Sequence, residues 1–296
     1  MKKIYKLAHI SDLHIPYKDR RGFTKRFEDL MQNIQKQNAD HLAITGDIID
    51  NACTEDYNRV KEILMKYDFY HPDMLTITIG NHEIFGSPSQ HEVYMFPYIC
   101  KKTNYEEKIR QFYMVFKDIM KSALFPIKNN IFPFYKIVSG KIALIGINSV
   151  SRFSLKYNPK GSNGYIEKMN YKNIITVLKL NKLKDYVKVI LIHHYFNKEK
   201  INKNIIQSLW LASEKQTMKL HNKKILQKAF EKYKIPLVLH GHSHITETYM
   251  QNRIKYVNSS GALYPFTESK ERSYNLITFS FDKNEKERIK TEKVEI

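Results

Sequence analysis

The stretch HLAITGDIID, residues 41–50, places two carboxylates directly behind an apolar run. A short apolar run that ends at a glycine is typical of a buried strand. Gly46 allows the backbone to turn sharply, so Asp47 and Asp50 follow the predicted strand at its carboxyl end. Functional side chains at the carboxyl ends of strands characterise α/β folds with a parallel sheet. The stretch therefore predicts a sheet with a functional site at one edge.

Four other apolar runs end in the same way. The motifs behind them are Asp12-Leu13-His14 after Tyr5–Ser11, Gly80-Asn81-His82-Glu83 after Met74–Ile79, His193-His194 after Val187–Ile192, and Gly241-His242-Ser243-His244 after Pro236–Leu239. Each motif alone is common in proteins. Five of them in order, each at a predicted strand end, favour a single shared site.

Apolar residues at helical spacing separate these strands. The predicted helices cover Gly22–Asn38, Asp56–Tyr67, Lys101–Lys121, Asn170–Leu180 and Lys219–Tyr233, and the remaining predicted strands cover Phe134–Val138, Lys141–Ile147, Arg253–Asn258 and Tyr274–Phe281. This alternation predicts an α/β fold, and we interpret residues 1–296 as one domain. The aromatic-rich residues 84–130 break the rhythm, and we predict a helical insertion beside the site there.

The composition leaves several partners open. The chain has 49 Lys and Arg against 30 Asp and Glu, a formal charge of +19. Such a surplus attracts nucleic acid, anionic lipid or a phosphate substrate, but the lysines are spread along the chain, which favours an ordinary solvated surface. Cys53 and Cys100 form no disulfide framework. Lys6 and His9 interrupt the first apolar run, so it is a poor signal peptide. No apolar run is long enough to span a bilayer, and we predict a cytoplasmic protein.

The five motifs supply carboxylate, amide and imidazole groups, the donors that hard and borderline divalent cations prefer over thiolate. Asp12 and His14 are two residues apart, so in an extended segment both point the same way. The carboxylate of Asp47 could bridge two ions, and Asn81 offers a neutral oxygen. These donors predict a site for two metal ions, which we expect to be Mn²⁺, iron or Zn²⁺.

The ordered motifs resemble those of the calcineurin-like metallophosphoesterases, which run D-x-H, G-D-x-x-D, G-N-H-E/D, H and G-H-x-H. All five are present between Asp12 and His244. Residues 84–130 and 197–216 lie outside the resemblance. It implies a four-layer α/β/β/α sandwich and hydrolysis of a phosphoester. Weaker similarity at Gly161–Gly164 and Lys232-Tyr233 points to the bacterial phosphodiesterase branch.

The resemblance also implies roles for individual residues. One metal ion would be held by Asp12, His14, Asp47 and His244, and the other by Asp47, Asn81, His193 and His242. We assign His193 rather than His194 because the family ligand is usually the first histidine after the strand. Tyr195 stands where the branch commonly has proline. His240 lies within the last strand and is expected to be structural.

Two residues are assigned to catalysis. His82 follows Asn81 and would protonate the leaving group. By the resemblance, Asp50 would orient the His82 imidazole, and its alternative role is that of a helix N-cap. The protein serine/threonine phosphatase branch carries arginine after that aspartate. This chain has Asn51 instead, which argues against that branch.

The motifs predict the reaction and leave the substrate open. We favour a small phosphodiester, such as a cyclic-nucleotide-like compound. A first alternative is a pyrophosphate of the UDP-diacylglucosamine type from lipid A synthesis, with the aromatic insertion as an acyl-chain lid, although those aromatics could equally be core. A second is a nuclease, because His9-Ile10-Ser11-Asp12-Leu13-His14 also resembles DNA-repair members and the basic charge favours it slightly. A third, of a different class, is a non-catalytic partner-binding scaffold, which is disfavoured because every ligand position is filled. No oligomeric state is predicted.

Overall fold

The computed structural model describes residues 4–16, 22–88, 92–197, 218–244, 246–259, 262–263, 272–282 and 287–296. The expectations for residues 1–3 and for most of 197–216 fall outside these ranges. The strands are β1 (Ile4–Ile10), β2 (His41–Thr45), β3 (Leu75–Thr78), β4 (Phe134–Val138), β5 (Ile142–Ile147), β6 (Val187–Ile192), β7 (Leu237–His240), β8 (Glu247–Gln251), β9 (Ile254–Asn258), β10 (Ser273–Phe281) and β11 (Glu287–Glu295). The helices are α1 (Phe23–Lys36), α2 (Thr54–Lys66), α3 (Phe96–Lys102), α4 (Tyr105–Val115), α5 (Lys168–Leu178) and α6 (Lys223–Lys232).

The strands form two sheets. The first has the order β11-β10-β1-β2-β3 and the second has the order β4-β5-β6-β7-β9-β8. Strands β1, β2 and β3 are parallel, and so are β5, β6, β7 and β9. Helical crossovers join parallel neighbours, so the carboxyl ends of the central strands of each sheet lie at one edge.

The two sheets pack face to face through a buried apolar layer. Leu7 and Ala43 of the first sheet share this layer with Leu144, Val189 and Leu239 of the second. All five side chains are completely buried. Continuous apolar strands of this kind are expected where both faces of a parallel sheet are covered.

Helices cover the outer face of each sheet. Phe27 and Leu30 of α1 and Val60 of α2 pack on the first sheet. Val177 of α5 and Phe230 of α6 pack on the second. The order of layers is therefore helix, sheet, sheet, helix, and the predicted four-layer sandwich is confirmed. Within the described residues, no helix is both long and apolar enough to cross a membrane.

The stretch Lys101–Lys121, predicted to be helical, does not form one continuous helix. It is divided into α3, α4 and a 3₁₀ turn at Ile119–Ser122. The break falls at Thr103, which is extended, and at Asn104, whose side chain accepts a hydrogen bond from the N–H of Glu107 at 3.2 Å. Asparagine at a helix N-cap stabilises a new start, and the helical periodicity of the sequence concealed it.

Most aromatic side chains of the 84–130 insertion belong to the core. Phe96 is 8% exposed, and Phe112 and Phe116 are completely buried beside Tyr57 of α2. Tyr94, at 94% exposure, and Tyr98, at 55%, are the exceptions. The insertion therefore extends the apolar layer under α2.

The sequence did not predict two edge strands. β8 pairs with β9 and is largely exposed, and β11 pairs with β10 as a charged edge. Neither contains an apolar run, since neither has a fully buried face. Charged side chains on an edge strand discourage pairing with other molecules.

Candidate metal centre

The five motifs meet at the shared carboxyl edge of the two sheets. Five of their residues have backbone φ values in the left-handed region: 54° at Asp12, 45° at His14, 49° at Asp47, 73° at His242 and 55° at His244. Such values are uncommon outside glycine, although Asp, Asn and His adopt them most readily. We therefore correct the expectation that Asp12 and His14 converge because the segment is extended. Their side chains converge because the backbone bends.

Two glycines make the close approach of these turns possible. Gly46 has φ at 91°, which a side chain would strain. Gly80 lies against the carboxylate and backbone N–H of Asp47, and no space is left there for a Cβ atom. Gly80 thus allows the turns after β2 and β3 to touch.

Asp47 lies at the centre of the site. Its Oδ2 atom is 3.1 Å from Nε2 of His193 and 3.9 Å from Nε2 of both His14 and His82. Its Oδ1 atom accepts a hydrogen bond from the backbone N–H of His82 at 2.9 Å. The carboxylate is almost fully buried and contacts residues from both sheets.

One cluster of donors surrounds Asp12. Its Oδ1 atom lies 4.0 Å from Nε2 of both His14 and His244. The three donor atoms lie within 4.8 Å of one another. The backbone N–H of His242 donates to the Asp12 carboxylate at 2.9 Å, which joins the loops after β1 and β7.

A second cluster surrounds His193. Its Nε2 atom lies 3.1 Å from Oδ1 of Asn81 and 2.9 Å from Nδ1 of His242. Its Nδ1–H donates to the carbonyl oxygen of Thr45 at 2.8 Å. That hydrogen bond directs the Nε2 lone pair of a neutral His193 towards Asp47, Asn81 and His242.

The donor set fits metal ions. In the second cluster, a carboxylate, an amide oxygen and an imidazole nitrogen of Asp47, Asn81 and His193 face one another. A cation bound there would take the place of the proton that Asp47 otherwise holds on His193. In the first cluster, Nε2 of His14 is buried and has no hydrogen-bond partner in the described residues. A buried nitrogen in that state is costly unless it coordinates an ion. Oxygen and imidazole donors without thiolate suit Mn²⁺, iron or Zn²⁺.

The Asp47 carboxylate is surrounded by the imidazole rings of several histidines, and each group shifts the pKa of the other. Burial raises the pKa of Asp47, but His193 and His82 outweigh it and hold that pKa well below its usual range. Burial lowers the pKa of His193, and the Asp47 carboxylate reverses this and raises it to about 9. Burial lowers the pKa of His14 and His242 well below the usual value, so both remain neutral and able to coordinate.

His82 and Asp50 lie together beside Asp47. Nδ1 of His82 is 3.4 Å from Oδ1 of Asp50 and donates to the Asp50 carbonyl oxygen at 3.0 Å. Burial lowers the pKa of His82, but Asp47 and Asp50 together raise it to about 10. Asp50 is not the N-cap of α2, because that position belongs to Cys53. His14 also lies 4.0 Å from Asp50, so these three residues form a further possible ligand group.

The ring nitrogens of His194 point away from the metal-ligand clusters, although its ring centroid lies 4.4 Å from that of His242. Its Nε2–H donates to the carbonyl oxygen of Ser162 at 3.2 Å, and its Nδ1 lies 2.8 Å from Oγ of Ser149. Burial lowers its pKa to about 3. Both ring nitrogens are therefore satisfied, whereas Nε2 of His193 faces the cluster. This geometry supports the choice of His193 over His194.

The sequence did not predict how Glu83 contributes to the site. Its carboxylate accepts hydrogen bonds from the backbone N–H groups of Gly80 at 2.7 Å, Asp47 at 2.8 Å, Ile48 at 2.7 Å and Ile49 at 3.2 Å. Four charge-assisted bonds fix the turns that carry Asp47 and Asn81. The position of Glu83 directly behind Gly80-Asn81-His82 was the only signal for it in the sequence.

Other supporting residues could not be found from the sequence. The Thr45 carbonyl, Ser149 and Ser162 act through backbone or hydroxyl groups that no motif marks. His240 is buried, and its Nε2 lies 3.1 Å from the hydroxyl of Tyr249. This contact supports the structural role predicted for His240.

The sequence of residues 5–246 matches the model of the calcineurin-like phosphoesterase family. The match covers most of the chain, and the protein belongs to this family. The family resemblance seen in the motifs is confirmed. The narrower similarity to the bacterial phosphodiesterase branch stays a prediction.

Solved structures share the fold at low sequence identity. A dimetal phosphatase from Danio rerio matches with a TM-score of 0.57 and 12% identity, over 100% of this chain and 99% of that one. A purple acid phosphatase from yellow lupin (Lupinus luteus) matches with a TM-score of 0.54 and 13% identity, over 94% of this chain and 50% of that one. GAP50, the anchor in the inner membrane complex of Plasmodium, matches with a TM-score of 0.52 and 14% identity, over 99% of this chain and 85% of that one. A search of curated proteins finds no match. At these identities the likeness establishes the fold alone.

Proposed function

We propose that this protein hydrolyses a small phosphodiester with two metal ions. The observation that carries this proposal is the position of Asp47, whose carboxylate lies between His14 of one cluster and His193 of the other. A single carboxylate shared by two donor clusters is suited to bridging two ions. Membership of a phosphoesterase family supports phosphoester hydrolysis as the reaction.

We assign the residues to two ions as the motifs imply. Asp12, His14 and His244 would hold one ion, Asn81, His193 and His242 the other, and Asp47 both. When bound, such a pair of ions lowers the pKa of a water molecule and neutralises charge on the phosphoryl oxygens. The Thr45 carbonyl fixes the tautomer of His193, and Glu83 fixes the turn that carries Asp47.

His82 is assigned the proton transfer to the leaving oxygen. Its Nδ1–H is committed to Asp50, which leaves Nε2 on the side of Asp47. The two neighbouring carboxylates favour the imidazolium form, and this is the form that a general acid requires. A diester with an alkyl leaving group needs such a proton, because an alkoxide leaves poorly.

The 161–164 loop supports a small substrate. Gly164 packs against the ring of His194, where a Cβ atom would lie 2.8 Å from Cγ. His194 packs against His242 of the second cluster, with ring centroids 4.4 Å apart, so the loop lies one side chain behind that cluster. We propose a small diester because the Gly161–Gly164 segment resembles the bacterial phosphodiesterase branch.

The acyl-chain lid of the lipid A alternative is left with Tyr94 and Tyr98, the exposed aromatic residues of the insertion. Phe96, Phe112 and Phe116 are part of the core, so these rings are not available to contact an acyl chain. The nuclease alternative rests on the similarity of residues 9–14 to DNA-repair members and on the net charge. The scaffold alternative assumes the same fold. It differs from the enzymatic proposals because it predicts neither bound metal nor turnover.

The proposal is tested with purified protein loaded with Mn²⁺. We expect hydrolysis of bis-p-nitrophenyl phosphate and of at least one cyclic nucleotide, faster than that of p-nitrophenyl phosphate. UDP-diacylglucosamine and an oligonucleotide serve as substrates for the two enzymatic alternatives. A preference for either of these would contradict the small-diester proposal. Absence of bound metal and of all turnover would favour the scaffold.

A further inference from the structure

Positive charge is distributed unequally between the two helical layers. α1 and α2 together carry six basic and five acidic residues, whereas α5 and α6 carry six lysines and one acidic residue, Glu231. Residues 179–185, which follow α5 and include a short 3₁₀ turn, add three more lysines and Asp185. The lysines are spread along the chain, but the fold brings many of them together on one helical layer.

We call the exposed side of α5, α6 and the segment after α5 the lysine face. Its exposed lysines are Lys168, Lys172, Lys179, Lys182, Lys184, Lys224, Lys228 and Lys232. None of them forms an ion pair with a carboxylate in the described part of the chain. On the opposite layer, Lys25 pairs with Asp29 at 2.9 Å and Lys66 with Glu28 at 2.6 Å. The lysine face is thus a surface of uncompensated charge.

Exposed apolar side chains lie at one end of the lysine face. Leu155 is 83% exposed, Met169 63% and Ile225 49%. The starts of α5 and α6 are joined by Asn222, whose side chain accepts from the N–H of Ile166 at 3.0 Å and donates to its carbonyl at 2.6 Å. Met169 and Ile225 therefore belong to the first turns of two helices whose starts are joined.

The loop that carries Leu155 adjoins the same end of the helices. Tyr157 stacks on Tyr165 with ring centroids 4.9 Å apart and meets His221 at 5.7 Å. Gly164, one residue before Tyr165, packs on His194 beside the candidate metal centre. The apolar end of the lysine face is therefore its active-site end.

We propose that the lysine face docks on an anionic lipid bilayer. Lysines near such a surface contribute about 1 kcal/mol each, and exposed aliphatic side chains can enter the headgroup region. Protein surfaces that bind nucleic acid favour arginine, because its planar guanidinium group binds phosphate through two hydrogen bonds. Arg152 is the only arginine between residues 150 and 252, and it is paired with Glu106 and Glu167. The chemistry of this face therefore favours lipid.

The first test measures co-sedimentation of the full chain with vesicles. We expect binding to phosphatidylcholine vesicles that contain phosphatidylglycerol, little binding to phosphatidylcholine alone, and weakening by salt. The triple variant Lys172→Gln, Lys224→Gln, Lys228→Gln should bind ~10²-fold more weakly. The control with the same net charge is Lys36→Gln, Lys117→Gln, Lys128→Gln, all exposed elsewhere, and it should bind like the unmodified protein. Equal losses in both triples would overturn a localised docking face.

A second pair of variants tests the apolar end. Met169→Ser with Ile225→Ser should reduce vesicle binding at high salt, and Met65→Ser, a 52% exposed methionine on α2, should not. Hydrolysis of a soluble p-nitrophenyl ester should be unchanged in all these variants, which separates docking from catalysis. Absence of vesicle binding, or binding to an oligonucleotide that anionic vesicles fail to displace, would overturn the lipid proposal.

Discussion

The Oδ2 atom of Asp47 lies 3.1 Å from Nε2 of His193, and the two residues belong to different sheets. Asp47 follows β2 and His193 follows β6, so the contact depends on how the sheets pack. The buried layer between the sheets, which includes Ala43 and Leu191, sets that packing. The candidate metal centre is therefore assembled by the sandwich as a whole.

Replacing Asp47 by Asn should remove metal and activity together. The substitution keeps the shape of the side chain but removes the charge shared by both clusters, so we expect loss of at least one metal equivalent and a ~10²-fold or greater drop in turnover. Elemental analysis and steady-state kinetics measure the two effects. Asp68→Asn is a matched control, because Asp68 also has a positive φ of 61° and is exposed. An Asp47→Asn enzyme with two metals and normal turnover would show that Asp47 does not bridge.

His82→Ala should separate metal binding from catalysis. We expect both metals to remain and turnover of an alkyl diester to fall by ~10²–10⁴-fold. The loss should be small for a p-nitrophenyl ester, which needs little protonation. Because His82 also forms a possible ligand group with His14 and Asp50, metal content decides between the roles. Loss of one metal equivalent would make His82 a ligand, and exposed His71 provides the control His71→Ala.

Asp50→Asn should shift the alkaline limb of the pH–rate profile to lower pH. The pKa of His82 is raised to about 10, in part by the Asp50 carboxylate. Removing that negative charge destabilises the imidazolium, so His82 loses its proton at lower pH and the general acid is lost sooner. The measurement is kcat against pH with a poor leaving group. An unmoved limb would mean that Asp50 does not act on His82.

Metal removal should abolish turnover reversibly. After chelation, we expect Mn²⁺ to restore more activity than Mg²⁺, because imidazole-rich sites bind later first-row ions more strongly. Folding should survive chelation, since the core between the sheets contains no candidate ligand. Circular dichroism before and after chelation checks this. Equal restoration by Mg²⁺ would contradict the ligand assignment.

Lys136 lies on the edge strand β4, away from the metal centre. It should make the free energy of unfolding depend on pH. Its buried Nζ donates to the carbonyl oxygens of Pro72, Leu75 and Ile119, and burial lowers its pKa to about 7. Above that pKa the unfolded chain holds a proton that the folded chain releases, and the neutral amine then donates only two of the three hydrogen bonds. The free energy of unfolding should therefore rise with pH between about 7 and 10.

Lys136→Met removes this titration and leaves three carbonyls without a donor. We expect it to destabilise the protein by ~1–3 kcal/mol and to flatten the pH dependence. Urea unfolding at several pH values measures both effects, and Lys141→Met, on the hairpin turn, is the control. A slope that survives in Lys136→Met would assign the titration to another group.

Strongly patterned elements could be predicted from the sequence. The apolar run at residues 41–45 became β2 with unchanged limits, and the hairpin around Ser139-Gly140 joins β4 and β5. The helical stretch predicted at Lys101–Lys121 is interrupted, because periodicity does not reveal the break at Asn104. β8 and β11 were missed because exposed edge strands carry no apolar signal.

The amino-acid sequence alone determined the donor types, their order and their positions at strand ends. Covalent spacing ensures that Asn81 and His82 stay adjacent in any fold. Only the tertiary structure decided which atoms meet. The Thr45 carbonyl orients His193 towards Asp47, while Ser149 and Ser162 hold both nitrogens of His194. Such choices depend on non-local hydrogen bonds between sheets, and no local pattern encodes these. The lysine face likewise exists only because α5 and α6 pack side by side on one sheet.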